Sequence, residues 1–167
     1  MSTMSQRAQA SMSIPVPFLI FNRPNTTHAV FESIRVAQPP RLYVAADGPR
    51  RYKIGEKDLC QQARSIATNV DWPCKVRTLF REEILGCRRA VSSAIDWFFE
   101  NEEEGIILED DCLPHPTWFR FAEELLERFR DDERIMCISA QHFQGTNHLL
   151  DSSYFFSRYN YCWGWAS

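Results

Sequence analysis

Five short strand-like runs recur along this chain, each separated from the next by a stretch with helical periodicity, and that alternation constrains the fold more than any other feature. Val16-Pro-Phe-Leu-Ile-Phe21 is apolar throughout, as a strand buried on both faces tends to be. It stops at Asn22-Arg23-Pro24, where proline excludes helical geometry from Arg23. Asn25, Thr26 or Thr27 is then expected to cap a helix carrying Val30, Phe31, Ile34 and Ala37 on its inner face, and Pro39-Pro40 ends it. Leu42 to Ala46 reads as a second strand closing on the turn Asp47-Gly48-Pro49-Arg50. Next come a helix over about 55–70, a strand over 74–80 and a helix over 88–100. The strand Ile106-Ile107-Leu108, a helix from Pro116 and a strand over 135–139 complete the series. Strands alternating with helices predict an α/β domain of three layers, α/β/α, around a mostly parallel sheet.

The chain has 167 residues, enough for one domain with a sizeable core, and its 44% hydrophobic and 25% charged residues exclude a disordered, collagen-like or coiled-coil chain. Residues 1–14 read as a disordered tail, with the domain over 15–167. A net charge of −3 argues against broad binding to nucleic acid. Sixteen of the 19 basic residues are Arg, the residue suited to fork-like grips on phosphate, although coding bias gives the same count. No run approaches the roughly 18 apolar residues of a membrane span, and the start lacks the apolar core of a secretory signal. A cytoplasmic protein, at most peripheral to a membrane, is therefore expected. Six cysteines at least 13 residues apart offer no zinc-knuckle spacing and read as reduced, buried thiols.

In an open parallel sheet the ligand crevice lies beyond the carboxyl ends of the strands. The residues that follow each run are Asn22 and Arg23, then Asp47 and Arg50, then Arg81, then Glu109-Asp110-Asp111. Acids suited to a divalent cation and arginines suited to phosphate thus converge, a combination that fits a nucleotide bound through a metal. The acidic triplet has two readings. Three adjacent carboxylates repel one another and a bound Mg²⁺ or Mn²⁺ relieves that repulsion; alternatively they form a solvated turn capping the helix near Pro116. Glu102-Glu103-Glu104 precedes its strand and reads as solvated turn. Gly86-Cys87-Arg88-Arg89 places a glycine turn before two arginines at a helix N-terminus, where an anion is favoured, but lacks the core of a Walker loop. Of the histidines, His115 reads as a surface capping residue, His28 lies in a helix, and His142 and His148 fall in an irregular segment.

Five motifs in order, PFLIFNRP (17–24), VAADGPR (44–50), LGCRRAV (85–91), GIILEDD (105–111) and CWGWAS (162–167), resemble the nucleotide-diphospho-sugar transferases of the GT-A fold, in particular the N-acetylglucosaminyltransferase I type. The resemblance implies a Rossmann-like nucleotide-binding half and metal-dependent transfer of a sugar from a nucleotide-diphosphate donor, UDP-linked, to a hydroxyl acceptor of unknown identity. It implies Asn22 and Arg23 near the nucleotide diphosphate and Asp47 on the base. Asp111 would hold Mn²⁺ or Mg²⁺, Glu109 and Asp110 would contact ribose and sugar, and Gly86, Arg88 and Arg89 would line the sugar-diphosphate side. Two departures stand out: Ile84 replaces an expected Asn, and Ser139-Ala-Gln-His-Phe143 replaces a segment expected to touch donor or acceptor. An inverting transferase also needs a general base, which the motifs leave unassigned, and the family's chain continues past the closing motif. A domain incomplete at its C-terminal end, or a degenerate module that binds nucleotide-sugar without turnover, remains the alternative. A phosphorelay receiver fits poorly, since no Lys follows Lys75, and a glycoside hydrolase needs carboxylates facing each other across a sugar.

Overall fold

The computed structural model describes residues 12–141 and 153–167. Strands and helices alternate as β1 (Val16–Ile20), α1 (Pro24–Ala37), β2 (Arg41–Ala46), α2 (Glu56–Ala67), β3 (Lys75–Phe80), α3 (Cys87–Phe99), β4 (Ile106–Glu109) and α4 (Trp118–Phe129). Two short strands follow, β5 (Ile138–Ser139) and β6 (Trp165–Ala166). They form one mixed sheet in the order β3-β2-β1-β4-β6-β5. The first four strands run parallel, with Phe18 opposite both Val44 and Leu108. β6 is antiparallel to β4 and to β5, pairing Ala166 with Ile106 and with Ile138.

The sequence therefore reads correctly as α/β over its first four strands, but the far edge differs. The strand expected over 135–139 shrinks to two residues and does not lie against β4, because Trp165–Ala166, unassigned from sequence, takes that place. Helix α1 also differs in detail. It starts at Pro24, with Arg23 in the cap position, rather than being capped by Asn25, Thr26 or Thr27. Proline's fixed φ suits the first helical position and its missing N–H costs nothing there. At the other end Gln38 adopts a left-handed φ of 51° and donates its N–H to the Ile34 carbonyl, which frees the chain to enter Pro39-Pro40.

Period-two alternation divides the sheet residues between two cores. Val16, Phe18, Ile20, Leu42, Val44, Ile106 and Leu108 face a large core with Val30, Phe31 and Ile34 of α1, Ala63 and Ala67 of α2, and Phe119, Ala122 and Leu125 of α4. Leu19, Ala45 and Ile107 face a smaller core closed by Ala94 of α3. Helices thus cover both faces unequally. On the α3 side Phe98 packs edge-on against Tyr43 at 5.0 Å, and it lies so close to Gly105 that a Cβ there would fall 2.3 Å from the ring.

Two further expectations are corrected. The domain begins before residue 15: Met12 and Ile14 are buried in the large core, and the Ser13 N–H and Oγ donate to Glu123 Oε1 at 2.8 and 2.6 Å. The apolar pair Met12 and Ile14 in an otherwise polar stretch is what ties it down; residues 1–11 of the expected tail lie outside the described residues. All six cysteines are free, as expected, but only Cys60 is buried; Cys87 and Cys162 are exposed and the other three are half-buried. No helix among the described residues is long and apolar enough to cross a membrane.

Candidate functional site at the carboxyl ends of the strands

The parallel register brings the ends of β1, β2 and β4 side by side, so residues remote in sequence become neighbours. The backbone N–H of Phe21, just after β1, donates to Asp110 Oδ2 at 3.0 Å, which ties the first strand to the acidic triplet. The next side chain but one, Arg23, lies across the same acids: Nη1 is 3.5 Å from Asp110 Oδ1 and is hydrogen-bonded to Asp111. Those two carboxylates hold the guanidinium more firmly in its charged form, Asp111 by its hydrogen bond above all.

The triplet is not three equivalent carboxylates. Asp110 is buried at 6% exposure, while the Asp111 side chain is about half exposed, at 49%. Burial pushes the Glu109 and Asp110 carboxyls up from their ordinary values, and the neighbouring acids push the same way. Asp110 is restrained by the Phe21 N–H and by Arg23. Asp111 is the exposed member of the triplet, with Arg23 on its carboxylate. Among the described residues no three His, Cys, Asp or Glu side chains are grouped to hold a metal ion. The arrangement does not fit a cation caged by these side chains alone.

Asp47, at the end of β2, is 9% exposed and accepts three backbone N–H groups: Gly48 at 2.9 Å, Leu85 at 2.9 Å and Gly86 at 3.0 Å. It thereby holds the loop before α3 against the end of β2. Gly86 sits at φ 84°, a conformation that favours glycine, and begins α3. Between this loop and β4 lies a crevice of about 150 Å³ whose walls include Phe21, Arg23, Asp47, Arg81, Ile84 and Asp110. Arg81 is steadied there by donating to Ser93 Oγ at 2.6 Å. Arg88 and Arg89 are exposed and do not line the crevice; α3 offers it Cys87, Ala90, Val91 and Ala94 instead.

On the other side of Asp111 a larger cavity of about 750 Å³ opens, walled in part by Cys112, His115, Trp118, Phe121, Gln141 and Trp163. His115 Nδ1 is 2.8 Å from Thr117 Oγ1 and accepts the Thr117 N–H at 3.3 Å, but Thr117, not His115, occupies the cap position of α4, and no side chain caps that helix, so the capping role expected of His115 is corrected. His142, His148 and Phe143 lie outside the described residues.

One group escaped the sequence reading. Glu56, the first residue of α2, is 1% exposed and gathers donors from three directions: Asn22 Nδ2 at 2.7 Å, the Arg50 backbone N–H at 2.8 Å, and the Arg50 guanidinium through Nε and Nη2. Lys53 Nζ stands 3.7 Å away. The Arg50 hydrogen bonds hold its carboxyl down at about 2 in spite of burial, which acts the other way. An acid in a first helical turn is favoured by the helix dipole whether buried or not, so sequence gave no sign of this one's burial. The only cue was its place six residues after Arg50, across a loop short enough to fold back.

Comparison with known proteins adds no assignment: no protein-family model matches the chain, and no curated protein matches it.

Proposed function

We propose that this chain binds a nucleotide-diphosphate sugar, UDP-linked, together with Mn²⁺ or Mg²⁺, and transfers the sugar to a hydroxyl acceptor, with β3-β2-β1-β4 as the nucleotide-binding half of a GT-A-like domain. The observation that carries the reading is the meeting of Arg23, from the end of β1, with Asp110 and Asp111, from the end of β4. A guanidinium and an exposed carboxylate held against one another suit a diphosphate and its counter-cation, each of which would replace the partner the other now has. The five ordered sequence motifs support the same reading.

In this scheme Asp111 supplies the carboxylate that holds the cation. The cation, when bound, offsets negative charge on the departing diphosphate. Arg23 exchanges its hold on Asp111 for phosphate oxygens, and Asp110, locked by the Phe21 N–H, keeps the triplet fixed to β1. Asp47 acts through the backbone: by gripping Leu85 and Gly86 it sets the wall of the crevice. In the transfer itself the bond from the anomeric carbon to the diphosphate oxygen breaks, with the electron pair leaving on the diphosphate. The acceptor oxygen forms the new bond to the anomeric carbon, and its proton passes to an oxygen of the departing diphosphate or to water. The cavity beyond Asp111 is the space this reading gives to sugar and acceptor.

The test is calorimetric titration of UDP with Mn²⁺ and with chelator, on the parent chain and on Asp111→Ala. Binding that requires Mn²⁺ and disappears in the variant, with unchanged circular dichroism, is expected; equal affinity in chelator removes the metal from the scheme. Tight Mn²⁺–UDP binding without hydrolysis or transfer of a UDP-sugar would make the chain a binding module rather than an enzyme.

A further inference from the structure

Arg81, the residue after β3, lines the crevice and has no part in the reading above. Its backbone is fixed on both sides: the N–H donates to the Ala46 carbonyl at 3.0 Å, and its own carbonyl accepts Arg64 Nη2 at 2.5 Å. Its side chain is fixed as well. Nη2 donates to Ser93 Oγ at 2.6 Å, and that hydroxyl donates onward to the Arg89 carbonyl at 2.5 Å, which leaves its lone pairs for Arg81. A guanidinium carries five N–H donors and stays charged. Among the described residues no carboxylate pairs with this one, and the neutral Ser93 hydroxyl is the acceptor it has.

The surrounding charges are committed elsewhere. Arg23 lies on Asp110 and Asp111, Arg50 on Glu56, and Arg64 on the carbonyls of Asp47 and Arg81. Of the acids lining the crevice, Asp47 holds three backbone N–H groups, Asp110 holds Phe21 and Arg23, and Glu109 makes no ion pair with Arg81. Register fixes where the unpaired cation stands. Ile20 is level with Ala46 and Ala46 with Phe80, so Phe21, Asp47 and Arg81 follow in the same row across β1, β2 and β3. Two strand spacings, roughly 10 Å, separate the ends of β1 and β3. Arg23 and Arg81 therefore approach one crevice of about 150 Å³ from the two strands that flank β2.

We propose that Arg81 is a second phosphate-binding arginine of this site: its unpaired N–H groups take phosphate oxygens of the bound nucleotide from the β3 side, opposite Arg23, and Ser93 is the positioning residue that holds it there. The proposal rests on the nucleotide-sugar reading above and adds to it a binding residue that the sequence motifs leave out. A fork of charged donors without an anion of its own matches phosphate oxygens in shape and sign.

The experiment measures UDP and uridine affinities in Mn²⁺, UDP by calorimetry and uridine by ligand-observed NMR, for the parent chain, Arg81→Gln and Ser93→Ala. Arg81→Gln is expected to weaken UDP by about tenfold to a hundredfold and to leave uridine within about twofold of the parent. Ser93→Ala keeps the charge but releases the guanidinium, and is expected to weaken UDP by about threefold with uridine again unchanged. A merely structural role would weaken both ligands alike and leave their ratio standing. Unchanged UDP affinity in Arg81→Gln overturns the proposal, as does a loss shared equally by uridine, which would put Arg81 on the nucleoside. A loss in Arg81→Gln without one in Ser93→Ala removes the positioning role of Ser93. Where the parent holds uridine too weakly to measure, the salt dependence of UDP binding decides: a shallower fall with KCl in Arg81→Gln than in the parent supports the proposal, and equal slopes overturn it. Should Arg81→Gln fail to fold, the UDP-to-uridine ratio in Ser93→Ala decides. Absence of UDP binding by the parent overturns the nucleotide reading itself, an outcome distinct from UDP binding that Arg81→Gln leaves untouched.

Discussion

Replacing Asp47 by Ala isolates the contact that frames the crevice. The carboxylate accepts one local N–H, from Gly48, and two from far along the chain, Leu85 and Gly86. Hydrogen bonds to a charged group contribute about 1.5–3 kcal/mol each. Leu85 is 40% exposed, so water reaches this loop and re-solvates part of what the variant abandons. The expected loss is therefore about 2–4 kcal/mol, below the sum of two full contributions. At roughly 2–4 °C per kcal/mol for a chain of this size, Tm falls by about 4–16 °C. Asp47→Asn keeps an acceptor for Gly48 and Leu85 but turns an amide N–H₂ towards the Gly86 N–H, so about half the loss is expected. Urea unfolding followed by circular dichroism gives the free energies, and amide exchange gives the locality: Leu85 and Gly86 should lose protection before the strands do. If Asp47→Ala lies within about 0.5 kcal/mol of the parent, the loop is held by something other than this carboxylate.

Two further predictions concern pH. The Glu56 carboxyl sits at about 2 when folded, against roughly 4.3 unfolded, so the stability it contributes is complete above the unfolded value and disappears as pH falls towards 2. Glu56→Gln should flatten the acid limb of the stability curve over that interval, and an unchanged limb would assign acid unfolding to other groups. Asp110 behaves oppositely: burial raises its folded value, so ionising it in place costs stability that protonation restores as pH falls. Asp110→Asn, which keeps an acceptor for the Phe21 N–H, should gain on the parent at pH above the range in which Asp110 titrates, and a loss there in chemical unfolding would contradict the sign.

Much of the framework was legible because strands buried on both faces are apolar without interruption, as Val16–Ile20 and Arg41–Ala46 largely are. The far edge was not, since two residues carry no periodicity and the partner of Ile138, Ala166, lies far along the chain. In the site, Arg23, Asp47 and the acidic triplet were found by position alone, as residues that follow strands. Arg88 and Arg89 show the limit of that logic. A glycine before a helix suggests an anion site, yet the buried stripe of α3 runs through Ala94 and Phe98, and both arginines fall off it into solvent. Glu56 was missed because burial of an acid is decided by a three-way contact that no single segment encodes.

The placement of β6 between β4 and β5 also sets an order of events. Synthesis runs from β1 towards β6, so β3, β2, β1 and β4 exist as a parallel sheet partner set before either antiparallel strand has been made. Until Trp165–Ala166 arrives, β4 has a bare edge and Ile138 has no strand to join. Ser139, Trp163 and Gly164, which wall the large cavity beside Asp111, come into place with those strands. The two walls on either side of the acidic edge are thus made at different times: every residue lining the crevice has been added by Asp110, whereas the opposite wall needs Trp163 and Gly164.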